Sequence, residues 1–208
     1  MTGSPNLSPD LDVSRETRAR LQILHDLVLK WTPHINLVGR RDVAHLWTRH
    51  IADSAQLWPL RPARARHWAD LGAGAGFPGL VIAAFAAEQA PELLVTLVES
   101  DLRKAAFLGE AARAMGLAVN IEPSRIEALA PLHADVLSAR ALAPLDRLLD
   151  HAEIHRARHG RALFPKGAAV HKEIEAAAAR WRFTHVLHPS ATDPAAAIVE
   201  IGEIARAC

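Results

Sequence analysis

The chain has 208 residues and no tyrosine, and its one cysteine, Cys208, is the last residue. A lone cysteine closes no internal disulfide and cannot supply the paired thiolates of a structural zinc site. Without tyrosine, the Tyr/Lys pair of a short-chain dehydrogenase cannot be built. No apolar stretch nears the 18 or so residues that cross a bilayer, so no membrane contact is expected. Residues 1–12 are polar and lack the apolar core of a secretion signal, which predicts a flexible tail and a cytoplasmic protein. The histidines form no HExxH motif, and no metal site is expected.

Half of the residues are hydrophobic, enough to build one full core with an appendage. The net charge of +1 is unevenly placed: residues 1–66 carry 10 Lys and Arg against 6 Asp and Glu, residues 67–208 carry 14 against 17. A basic front section on a near-neutral body suits a polyanion such as nucleic acid, although a solvated arginine-rich face has the same composition. Arg40, Arg41, Arg49, Arg64 and Arg66 are the cations expected to line one phosphate-binding face.

Leu21, Leu24, Leu27, Val28 and Trp31 recur at helical spacing and predict an amphipathic helix over 13–31, ended by Pro33. A second helix is predicted over 43–58, stopped by Pro59. Residues 13–65 therefore form an N-terminal helical extension and 66–208 the core. In the core, predicted strands (66–71, 93–98, 118–122, 134–139, 161–165) alternate with helices (79–89, 101–115, 144–158, 168–181), which is the pattern of a doubly wound parallel sheet. Two last strands, 183–188 and 196–201, have no helix between them and predict a terminal hairpin with one strand inserted antiparallel. That makes a seven-stranded, Rossmann-like α/β sheet.

The densest chemistry lies at 67–79, His-Trp-Ala-Asp-Leu-Gly-Ala-Gly-Ala-Gly-Phe-Pro-Gly. A strand, a glycine turn and a helix N-terminus hold nucleotide-like cofactors at the carboxyl edge of such sheets. Glu99, directly after the next apolar strand, is placed to take ribose hydroxyls. Gly74-x-Gly76-x-x-Gly79 fits a dinucleotide fingerprint, the reading of an NAD-dependent oxidoreductase. Asp70-x-Gly72-x-Gly74-x-Gly76 fits an S-adenosylmethionine methyltransferase, with Asp70 near the amino-acid end of the cofactor. Pro78 favours the second, because a pyrophosphate needs a free amide where proline has none.

Ser124-Arg125-Ile126-Glu127 follows the third strand, where the adenine belongs; Ile126 packing on the ring and Glu127 binding it is one reading, a capping box the other. Arg140 ends the fourth strand, facing the reacting methyl. No Asn/Asp-Pro-Pro-aromatic run stands there to grip an exocyclic amine, and no cysteine can activate a pyrimidine. Guanine N7 needs neither, since its in-plane lone pair attacks directly and positioning carries the step. Arg140 could meet the base, which offers paired acceptors at O6 and N7, grip the cofactor carboxylate, or hold a structural ion pair. Arg49, His50 and Asp53 share a helical face, where an Arg49–Asp53 pair is the plain reading. Lys166 points to the same edge and could meet a phosphate.

Together these segments resemble the bacterial 16S ribosomal RNA guanine-N7 methyltransferases, the glucose-inhibited division protein B family, from about Leu21 to Ile201. The resemblance rests on Trp31-x4-Asn36-Leu37, Arg49-His50-Ile51-x-Asp53-Ser54, Gly72-x-Gly74-x-Gly76-Phe77-Pro78-Gly79, Glu99-Ser100 with Arg103-Lys104, Ser124-Arg125-x-Glu127, Ser138-Ala139-Arg140-Ala141 and Lys166-Gly167. It implies cofactor contacts at Gly72, Phe77, Ile126, Glu127 and Arg140, with Glu99 on the ribose. It also implies a guanine in the decoding-region loop of 16S rRNA as target, within the small ribosomal subunit. Arg140, Arg49 and His50 are the expected catalytic residues and a monomer the expected state. A SAM- or RNA-binding module without catalysis is the remaining alternative.

Overall fold

The computed structural model describes residues 13–39 and 42–207. The expected tail at 1–12, Arg40, Arg41 and Cys208 lie outside the described residues. Helix α1 (Arg15–Ile35) is capped by Ser14, whose hydroxyl accepts the Thr17 amide at 3.0 Å. It buries Leu21, Leu24 and Val28. Contrary to the expectation, α1 runs through Pro33 and ends only where Asn36 turns left-handed and donates its amide to the Thr32 carbonyl. A proline this near the helix end removes one donor, and the turn beyond it still closes.

The second helical stretch is not one helix. Its winding changes from a 3-10 turn (Val43–His45) to a π-helix (Trp47–Ala52), then to the short α2 (Asp53–Ala55) and a second 3-10 turn (Trp58–Leu60) that contains Pro59. Periodicity read at 3.6 residues per turn cannot register a change of winding.

Strands β1 (His67–Leu71), β2 (Leu94–Val98), β3 (Asn120–Glu122), β4 (Ala134–Ala139), β5 (Arg156–Lys166), β6 (Trp181–Pro189) and β7 (Ala197–Arg206) form one sheet in the order β3-β2-β1-β4-β5-β7-β6. The first five are parallel; β7 lies antiparallel to both β5 and β6. Helices α3 (Gly79–Gln89) and α4 (Leu102–Ala114), with α1, cover one face, and α5 (Leu145–His155) and α6 (Val170–Ala178) the other. The apolar side of α1 shares a core with Trp68, Leu80, Phe85 and Leu97. The Thr17 hydroxyl donates to the Glu88 carboxylate at 2.7 Å, and Ser14 donates to the same group, which fastens α1 to α3.

β5 begins at Arg156, earlier than predicted, and α5 stops correspondingly at His155. Arg156 donates to the carbonyls of Ala157, Arg158 and Gly160, and Gly160 lies so close to β4 that a Cβ would stand 2.7 Å from the Ala134 carbonyl oxygen. The Arg156 contacts are local to the start of the strand, whereas the approach of Gly160 to Ala134 joins two strands and leaves no mark in helical periodicity. β1 sits between β2 and β4, where the strand order reverses, and the crevice above the carboxyl ends of strands at such a point is where α/β proteins bind ligands. Among the described residues, no helix is long and apolar enough to cross a membrane, and no group of three His, Cys, Asp or Glu could hold a metal ion.

Candidate active site

The glycine turn joins β1 to α3, and Asp70 closes it from below. Asp70 is 1% exposed; its carboxylate accepts the Gly79 amide at 2.9 Å and the Ser138 hydroxyl at 2.7 Å. Asp70 and Ser138 stand side by side in the β1–β4 register, and the Trp68 indole donates to the Ser138 oxygen at 2.8 Å. Burial pushes the Asp70 pKa up to about 7, against the two hydrogen bonds that favour its charged form. Asp70 therefore braces the turn and does not face the cavity, unlike the position at the cofactor expected for it. Sequence patterning singles out Ser138 as part of a motif but not as the partner of Asp70 and Trp68; a lone serine in the apolar run Val136–Ala139 is the signal that it has a buried polar partner.

The glycines divide by task. Gly72 and Gly74, both at positive φ, line a cavity of about 370 Å³. A Cβ on Gly74 would meet only the Gly72 carbonyl oxygen, at 3.7 Å, so the space above it is open. Gly79 is required by packing: a Cβ there would fall 2.2 Å from Leu97 and 2.8 Å from Asp70. Gly76 lies against Leu80, also away from the cavity.

Glu99, Lys104, Ser124, Arg125, Ile126 and Glu127 complete the cavity with Arg140, Ala141 and Leu142. The Glu99 carboxylate accepts the amides of Gly74 (2.9 Å) and Asp101 (2.8 Å), which fixes it at the end of β2. Ile126–Ala128 is a single 3-10 turn with Arg125 at its N-cap and no side-chain cap, so the capping-box alternative is not realised.

A larger cavity of about 720 Å³ adjoins the first. Its lining includes Asp42, Arg49, His50 and Asp53 from the extension, Lys166 from β5 and, from the last hairpin, Ser190, Thr192, Asp193, Pro194 and 196–198. Both cavities share Arg140, Ala141 and Leu142. Arg140 donates to the Arg49 carbonyl at 3.0 Å and to His50 Nδ1, pairs with Asp53 at 3.5 Å, and lies 5.5 Å over the Phe77 ring. Burial lowers its pKa from the usual arginine value, while Asp53 and Asp70 act the other way. His50 stacks on Phe77 with centroids 5.2 Å apart. Its pKa falls to about 4, chiefly through burial and then through Arg140. The imidazole is thus neutral at pH 7, with Nδ1 the acceptor and Nε2–H without a partner among the described residues.

Phe77 supports Arg140 and His50 from beneath and does not line the smaller cavity. The plain Arg49–Asp53 pair is absent: Arg49 binds Asp42 at 2.8 Å, because the π-helical turn rotates Asp53 toward Arg140. Lys166 lines the larger cavity, but its ammonium is engaged by Glu173 (2.8 Å) and the Ala143 carbonyl (2.7 Å). Arg66 precedes β1 and so stands at the opposite edge of the sheet, paired with Glu92. Arg64 precedes it, and neither lines the cavity that Arg49 lines. His151 and His155 are one turn apart on α5, with Glu127 3.9 Å from His151 and, among the described residues, no ligand set around them.

Solved structures share the architecture. A methyltransferase from Geobacter sulfurreducens superposes with a TM-score of 0.58 at 13% identity, covering 93% of this chain and 98% of that one. A SAM-dependent methyltransferase from Aquifex aeolicus gives 0.56 at 12% identity, covering 76% and 92%. At such identities the likeness shows the fold. The ribosomal RNA small subunit methyltransferase G of Ruegeria pomeroyi is 52% identical over 196 residues, 94% of this chain and 96% of its own. That of Ruegeria sp. (strain TM1040) is 49% identical over 197 residues, 95% and 96%. Residues 17–196 match the family described as rRNA small subunit methyltransferase G. From α1 to the loop before β7, the chain belongs to that family.

Proposed function

We propose that the protein methylates N7 of a guanine in 16S ribosomal RNA, using S-adenosylmethionine, as a cytoplasmic enzyme acting on the small ribosomal subunit. The observation that carries this reading is the position of Arg140, which forms the common wall of a cofactor-sized cavity and a larger one open to a nucleobase. Both volumes lie within the range of small-ligand sites, about 300–1,000 Å³.

The residues of the smaller cavity fit S-adenosylmethionine. Glu99 stands where ribose hydroxyls would donate to it, the open space over Gly74 admits close approach of a ligand, and Ile126 with Glu127 offers an apolar face and a carboxylate to the adenine. NAD fits less well, because the first amide of α3 is already taken by the Asp70 carboxyl group and is not free to bind a pyrophosphate at that helix N-terminus. When bound, the cofactor supplies an electrophilic methyl group. Arg140, Arg49 and His50 would hold the extruded base in the larger cavity, with the neutral His50 adding no second cation beside Arg140. Guanine N7 carries its lone pair in the ring plane, so no residue has to remove a proton before attack. Orientation is then the main contribution of the protein.

A methyl on N7 makes the imidazole ring of guanine cationic and labile. After mild reduction, aniline cleaves the RNA chain at that nucleotide. Small subunits from a strain without the modification, incubated with this protein and labelled cofactor, should show one new cleavage in the 16S decoding region. Label incorporated without cleavage would put the methyl on another atom.

A further inference from the structure

Each cation of the larger cavity has its own carboxylate: Arg49 has Asp42, Lys166 has Glu173, and Arg140 has Asp53. Glu173 also accepts the Leu145 amide at the start of α5, at 2.8 Å; among the described residues, Asp53 is the one of these acids that reaches the hairpin loop. One of its oxygens faces Arg140 at 3.5 Å; the other accepts the Thr192 hydroxyl at 2.9 Å and the Gln56 side-chain amide at 3.1 Å. Gln56 completes the junction, because its side-chain oxygen accepts the Ala191 amide at 2.6 Å. The loop between β6 and β7 forms the far wall of the cavity through Ser190, Thr192, Asp193 and Pro194. Asp53 is only 19% exposed and Arg140 17%, so their pairing is sheltered from screening.

We propose that Asp53 is a positioning residue: its carboxylate ties Arg140, at the wall between the two cavities, to the hairpin loop at Thr192, and so sets the shape in which the base is held. The kinetic part of the proposal rests on the methyl-transfer reading above; the clasp itself does not. Thr192 acts on the loop arm alone, whereas Asp53 acts on both arms. Loss of the loop arm should loosen the far wall and weaken RNA capture. Loss of both should also let Arg140 drift, which misplaces the base relative to the methyl group.

The test uses the full chain with Asp53→Asn, Asp53→Glu and Thr192→Val. Hydrogen exchange of residues 190–196, measured without RNA, should rise in Asp53→Asn and Thr192→Val. With unmodified small subunits, Thr192→Val should raise the RNA KM about five-fold and leave kcat within about two-fold. Asp53→Asn should lower kcat at least about ten-fold, as a misplaced reactant does, at an unchanged melting temperature. Asp53→Glu, which keeps the charge, should retain more kcat than the Asn variant. Unchanged exchange in Asp53→Asn, unchanged kcat in that variant, a Glu variant as slow as the Asn variant, or a fall in kcat matched by a fall in melting temperature would each overturn the proposal. If the wild-type protein transferred no methyl group while exchange still rose in both variants, the methyl-transfer reading would fall and the clasp would stand.

Discussion

The Asp70 carboxylate and the Gly79 amide, nine residues apart, are joined by a 2.9 Å hydrogen bond beneath the glycine turn. The bond fixes the start of α3 against the end of β1, and Ser138 holds the other carboxylate oxygen. Asp70→Asn should therefore turn an NH2 group toward one of two donors and cost roughly 1–3 kcal/mol. For a chain of this size that is about 2–4 °C of melting temperature per kcal/mol, read by thermal or denaturant unfolding.

The same carboxyl group has a pH signature. Its folded pKa, near 7, lies above the ordinary 3.8, so its contribution to stability is full below pH 3.8 and is lost as pH rises through about 7. The stability of the wild-type protein relative to Asp70→Asn should fall steadily over that interval. A difference that grows with pH would contradict the burial argument.

His50 titrates in the opposite sense. Its pKa is lowered from 6.5 to about 4, so it contributes stability above pH 6.5 that disappears as pH falls through 4. In an NMR titration, the imidazole signal missing from His50→Gln should have its midpoint near 4. A midpoint above 6 would mean that the ring is not shielded by the extension.

Gly74 and Gly79 should fail differently. Gly74→Ala places a methyl in open space at a left-handed φ of 52°, a strain of about 1–2 kcal/mol. The folded variant should bind S-adenosylmethionine poorly by calorimetry. Gly79→Ala collides with Leu97 and Asp70 and should lose stability before binding can be measured. Glu99→Ala should cost binding roughly 1–3 kcal/mol.

Arg49 and Arg66 make a paired control for RNA binding. β1 separates the two sheet edges by five residues, about 16 Å at a strand's rise. Arg49→Gln should raise the RNA KM and flatten its logarithmic salt dependence by about 0.7–0.9 for each phosphate that it no longer neutralises. Arg66→Gln should leave both unchanged. Equal effects would mean that charge acts at long range and not through direct pairing with phosphate.

Where the chain follows local rules, its sequence shows the structure directly. α3 and β4 begin and end at the residues that patterning predicts, because a glycine turn and an apolar run delimit them. The hairpin with its inserted antiparallel strand was legible from the missing helix between the last two strands. The winding of 43–60 was not, since it depends on Trp47 and Ile51 reaching the core. Nor was the partner of Asp70, because Ser138 lies 68 residues away and only strand register brings the two together. Asp53 was visible as a neighbour of Arg49 and His50; the π turn that redirects it to Arg140 has no signature in residue spacing.

The strand order β5-β7-β6 also constrains the birth of the protein. Strand β6 is synthesised before β7, yet its described pairing is with β7 alone. A nascent chain can thus dock β1 to β5 while β6 waits without a strand partner, held through side chains such as Trp181, whose indole donates to the Asp146 carbonyl. The loop that walls the larger cavity gains its second flanking strand only once residues up to Arg206 have cleared the ribosomal tunnel; until then it has the Asp53 and Gln56 side chains as its ties. A chain stalled before that point could assemble the cofactor side of the sheet but would have no finished chamber for a base.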